Sequence, residues 1–129
     1  MSAVVSLPSS HDFDTTLSRL VEALDARGLA VFARIDHAEG AREVSMELRD
    51  EVVLLFGNPR AGTPLMQDDP QVGIELPLRM LVWDSGDEIR LGYNDPRALA
   101  DTYAVGAHAE TLAAMASLLE VLAAEAGGT

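Results

Sequence analysis

The segment Ile74-Glu-Leu-Pro-Leu-Arg-Met-Leu-Val-Trp83, then Asp84-Ser85-Gly86-Asp87, then Glu88-Ile-Arg-Leu-Gly-Tyr93 is two apolar runs joined by a polar turn. The first run is predicted as a strand over 74–83. Pro77 stands near its beginning, where a residue without an N–H is tolerated at an edge or bulge. Asp84–Asp87 is a hairpin turn signal. In the second run Ile89, Leu91 and Tyr93 alternate with polar or small residues, the period of a strand with one buried face. A turn this short forces antiparallel pairing. An all-parallel sheet is thereby excluded.

The flanking sequence supplies the remaining layers. Ala3–Leu7 reads as a first strand stopped by Pro8. Asp12 or Asp14 offers a helix N-cap, and Phe13, Leu17, Leu20, Val21 and Leu24 follow at helical spacing up to a terminating Gly28. Leu29–His37 alternates as a second strand. Ala38–Arg49 is acidic and reads mainly as a connection with room for a helical turn. Glu51–Phe56 is a third strand, apolar on both sides, which suits a central position covered on both faces or a buried edge at an oligomer interface. Thr63 as N-cap and Pro64 at the first position predict a short helix ended by Pro70. Asp95-Pro96 opens another, running to about Tyr103. Ala109–Ala126 is the last helix, with Leu112, Met115, Leu119 and Leu122 on one face. The expected architecture is α+β: one domain over 1–129, two layers, a mostly antiparallel sheet of about five strands with the two long helices packed on one face. The other sheet face is left open, which favours a homodimer.

Composition narrows the chemistry. The chain has 129 residues, 21 acidic against 9 basic, for a formal charge of −12. That charge repels nucleic-acid phosphates and anionic membranes. All nine basic residues are arginine and cysteine is absent, so thiol chemistry, thiolate metal sites and lysine Schiff bases are excluded. No apolar run has the length of a membrane span, and the short apolar start lacks the basic flank of a leader. A cytoplasmic location, no nucleic-acid partner and no membrane partner are the expectations.

Several blocks carry a family resemblance. Phe56-Gly57-Asn58-Pro59, Gly62-Thr63-Pro64-Leu65-Met66-Gln67, Pro70 and Leu76-Pro77-Leu78 occur in order. Ile35-Asp36-His37-Ala38 precedes them, and Tyr93-Asn94-Asp95-Pro96 with Leu99-Ala100 and Tyr103 follows. Together, over about residues 12–124, they resemble the domain of unknown function 302 family of bacterial and archaeal proteins. The stretch 44–50 departs from it by its charges, Glu47, Arg49 and Asp50. The resemblance implies an α+β domain, commonly dimeric, and no particular activity or cofactor.

Three functional readings follow from the residues. In the first, the loop Phe56–Gln67, with two glycines and a helix start, forms a crevice for a small molecule, with Asn58, Arg60, Thr63, Gln67 and Tyr93 as ligand-binding candidates and His37 on the wall. Plain turn chemistry accounts for Asn58-Pro59 and Thr63-Pro64 as well. The acids crowd the connections and helix surfaces, whereas Phe56–Pro64 contains none and carries Arg60. In the second reading His37 and Asp36 act as an acid/base pair, converging with Asn58 or Thr63. In the third the chain is a protein–protein interaction domain. His11 and His108 are isolated, no metal-ligand spacing occurs, and no serine sits in a nucleophile elbow.

Overall fold

The computed structural model describes residues 4–129. The predicted hairpin is present: β4 (Leu78–Asp84) pairs antiparallel with β5 (Ile89–Asn94), with Leu81 opposite Gly92 and Asp84 opposite Ile89. In chain order β1 is Val4–Pro8, α1 Phe13–Ala26, β2 Ala30–Asp36, α2 His37–Glu43, β3 Glu51–Gly57, α3 Pro59–Asp68, α4 Leu99–Thr102 and α5 Ala109–Gly127. The expected Ala3 start of the first strand lies outside the described residues. The five strands form one sheet in the order β1-β5-β4-β3-β2, antiparallel throughout. The α+β expectation therefore holds.

The core lies on one face. Val52, Leu54 and Phe56 of β3, Met80 and Val82 of β4 and Leu91 of β5 meet Leu17, Leu20 and Leu24 of α1 and Leu119 and Leu122 of α5, all nearly or fully buried. Such burial stabilises by roughly 25 cal/mol per Å² of apolar surface. α1 and α5 are strapped together by Arg27, whose two terminal nitrogens donate to the Glu125 carboxylate at 2.8 and 2.6 Å. Arg19 Nη2 donates to the Glu125 carbonyl at 2.7 Å. A second cluster, Leu65, Val72, Val105, Leu112 and Met115, joins α3 to the start of α5. Against the expectation that no apolar stretch has span length, Gly106–Gly127 is long and apolar enough to cross a membrane, with 28% of its apolar window buried; Leu112, Met115, Leu119 and Leu122 lie in the two cores.

The local signals explain most boundaries. Asp12 caps α1, its Oδ1 accepting from Thr15 N–H at 2.8 Å, and Gly28 takes φ 65° just past the helix end. Four expectations need correction. α3 starts at Pro59, with Asn58 as N-cap; Thr63 is not the cap, and Pro64 lies inside the helix. The earlier start sets Ala61 one turn from Leu65, both against the second core. β4 starts at Leu78, because Pro70–Ile74 forms a 3-10 turn that buries Val72 and Pro77 has no N–H for the ladder. Asp36-His37 is not simply a strand end: Asp36 caps α2, accepting from Glu39 N–H at 2.9 Å. Lastly, β3 is central in the sheet, but only its Val52–Leu54–Phe56 side is covered by helices. Val53 and Leu55 point to the other face.

Acid sensitivity follows from the caps and pairs. Acceptance from Thr15 holds the Asp12 carboxyl below its ordinary range, Arg97 does the same for Asp95, and Arg27 for Glu125. A depressed carboxylate contributes stability that is present above its unfolded pKa and lost as pH falls through the folded one. Stability is therefore expected to decline below about pH 4. Asp12→Asn keeps the cap without the titration, so melting temperature against pH should fall less steeply in that variant.

Candidate functional site

Strand direction decides which of the predicted residues can meet. β2 begins, β3 ends, β4 begins and β5 ends at the same edge of the sheet, where Ala30 faces Gly57, Phe56 faces Leu78, and Asn94 closes β5. At that edge α3 and the first half of α5 stand off the sheet and leave an open crevice of about 370 Å³. Its walls are Leu29 and Phe32 from one side, Met66, Leu76 and Leu78 from another, and Met115 and Leu118 from α5. Phe32 reaches it through a bulge: Val31 pairs with Phe56 and Ala33 with Leu55, so Phe32 is the extra residue of the edge strand. Bulges re-aim side chains in this way. Phe32 is 54% exposed, a large apolar side chain left at a cavity mouth.

Three glycines, Gly57, Gly62 and Gly73, lie on the walls of the crevice. A Cβ on Gly57 would lie 3.6 Å from Pro77 and 3.9 Å from Phe32, one on Gly62 3.4 Å from Leu76, and one on Gly73 3.2 Å from Met66. Gly62 is mid-helix, where alanine is favoured by about 0.5–1 kcal/mol. Gly62→Ala should therefore raise the melting temperature while narrowing the crevice.

The predicted residues separate into two groups. Asn58 and Thr63 line the crevice, and no ionisable side chain does. Asn58 Oδ1 is already used, accepting from Arg60 N–H at 2.9 Å. Arg60 and Gln67 are exposed on α3 and do not line the space. Tyr93 is also outside it. It packs partly buried against the main core, where burial, then the charges of Glu120 and Asp95, raise its hydroxyl pKa. Asp36 and His37 lie at the opposite end of the sheet. Asp36 faces Val52, and the six steps along the chain from Val52 to Asn58 cover about 20 Å. Convergence of that pair with Asn58 or Thr63 does not occur. His37 is exposed, and no group of three metal-ligating side chains occurs among the described residues.

What the sequence reading missed was the apolar wall. Phe32, Leu76, Met115 and Leu118 look like ordinary core positions in sequence. The available signal was the three glycines together with Met66 and Met115, since methionine adapts to irregular apolar spaces.

A second, polar cleft of about 440 Å³ lies at the same edge, lined among others by Glu75, Arg79, Asp95, Asp101 and Tyr103. Asp95 caps the turn at Pro96 and holds Arg97, Nη2 to Oδ2 at 2.6 Å.

Comparison with known proteins agrees with this architecture. A crystal structure of an uncharacterized conserved protein DUF302 from Bacillus stearothermophilus superposes with a TM-score of 0.85 at 21% identity, covering 95% of this chain and 97% of that one. At that identity the likeness is one of fold. A protein of Brucella suis named fluoride-specific ion channel FluC 1 is 38% identical over 106 residues, 81% of this chain but 42% of its own length. Its namesake in Brucella abortus matches at the same identity over 39% of its length. This chain thus spans about two-fifths of those relatives. The family model described as domain of unknown function DUF302 matches residues 5–123, and the chain belongs to that family.

Proposed function

We propose that this domain binds a small, largely apolar molecule in the crevice between Phe32, Met66, Leu76 and Met115. The observation that carries the reading is a concave space with apolar walls, three of its lining residues glycine and none ionisable. Sites of this kind hold small ligands by burying apolar surface, with a few polar groups to orient them; Asn58 and Thr63 stand at the rim in that role. Occurrence within longer proteins, as in the Brucella relatives, fits an accessory binding module. Fluoride itself does not fit this crevice, because a small anion needs several donors and the walls offer almost none.

The test is a fluorescence titration with N-phenyl-1-naphthylamine, a neutral apolar probe. Saturable enhancement is expected for the native chain and for Leu81→Asp, which alters the sheet's other face. Gly62→Leu, which should fill the crevice and suits a helix, is expected to lose at least tenfold in affinity while keeping its far-ultraviolet spectrum. Equal binding by Gly62→Leu would refute the reading.

A second reading concerns assembly. Ile35, Val53 and Leu81 form one cross-strand row on the uncovered sheet face, with Leu55 and Trp83 beside it. Ile35 is 45% exposed. The Trp83 ring lies across Gly92, where an added Cβ would be 3.0 Å from Cζ3. We propose that a second copy covers this face. Contiguous apolar surface of this sort marks an interaction site, and a self-complementary pairing is the commonest solution.

A further inference from the structure

Resting on the proposed apolar site, we infer that its ligand is an amphipathic amine whose ammonium group lies in the adjacent polar cleft. The two spaces share a wall. Along Glu75–Arg79, Leu76 and Pro77 line the apolar crevice, Glu75 and Arg79 line the polar cleft, and Leu78 lines both. A molecule whose apolar body sits against Leu76 and Leu78 therefore has polar space next to it.

The sign of the head group follows from the cleft's charge. Three carboxylates, Glu75, Asp95 and Asp101, face one guanidinium, that of Arg79. Asp95 is already paired with Arg97. Glu75 and Asp101 have no ion-pair partner among the described residues. Arg79 turns Nη2 toward the Glu75 carbonyl at 3.2 Å. Tyr103 also lines the cleft, and an aromatic ring attracts a cation through its face. The −12 charge of the whole chain also raises the local concentration of cations and lowers that of anions. A carboxylate head would meet repulsion at each of these levels.

Octylamine, octanol and octanoate share one apolar chain and differ in the head alone. In competition with N-phenyl-1-naphthylamine at low salt, octylamine is expected to bind about fivefold more tightly than octanol, as two partly exposed carboxylates can supply. Octanoate is expected to bind more weakly than either. The double variant Glu75→Gln/Asp101→Asn should remove the amine's advantage and leave octanol unchanged, and added salt should shrink that advantage in the native chain. Equal binding of octylamine and octanol, or tightest binding of octanoate, would overturn this inference while leaving the apolar site standing. Binding of none of the three would overturn both.

Discussion

Phe56→Ala is expected to lower the unfolding free energy by roughly 3–5 kcal/mol. Phe56 is the largest of the fully buried side chains. It stands on the core face of the central strand, opposite Leu78 on one side and Val31 on the other. Leu78 bridges that core and both edge cavities. Removing the ring leaves a void between α1, α5 and the sheet edge that rigid strands cannot close. Against a total of about 5–15 kcal/mol for a domain, the loss is a large fraction. Urea unfolding should show a lower midpoint with an unchanged slope. Val53→Ala, one ladder step from Val52 but on the uncovered face, should cost under about 1 kcal/mol in the monomer. Equal costs at the two positions would mean that the second face is covered within one chain.

Leu81→Asp is expected to raise the dissociation constant of the proposed dimer at least a hundredfold. Leu81 sits mid-row on the uncovered face, between Val53 and Gly92. An unpaired carboxylate there costs little in water and about 3 kcal/mol or more when a second copy buries it. The proposed dimer must also overcome repulsion between two chains of charge −12. Its affinity should therefore rise with salt, opposite to the response of an ion-pair interface. Sedimentation velocity over a range of concentrations reads both effects. A native chain that stays monomeric at high concentration and high salt would refute the assembly.

Where signals were local, sequence and structure coincide. Asp12 caps a helix and Asp95 a 3-10 turn because a short carboxylate reaches N–H groups two or three residues on, a geometry independent of the rest of the fold. The Asp84–Asp87 turn and Gly28 are equally local. The start of α3 was ambiguous because Asn58-Pro59 and Thr63-Pro64 send the same cap-and-proline signal, and burial of Leu65 against Val72 and Val105 selects between them. That contact spans distant segments and has no periodic trace. The candidate site was legible only in position. Asn58 and Thr63 stand at the edge of the sheet where the crevice opens, but the space is built from glycines and apolar walls. In sequence His37 and Tyr93 share with Asn58 and Thr63 a position near strand ends. Strand order and direction, which composition does not carry, put His37 at the far end of the sheet and Tyr93 against the core.

The most direct test of the central claim uses the methionine methyl groups as reporters. Met66 and Met115 line the crevice, whereas Met46 is 64% exposed on the connection between α2 and β3. Titration of methyl-labelled protein with octanol, followed by nuclear magnetic resonance, should move the Met66 and Met115 signals saturably along one binding curve and leave Met46 in place. Stationary Met66 and Met115 signals, or a shift confined to Met46, would contradict ligand binding in this crevice.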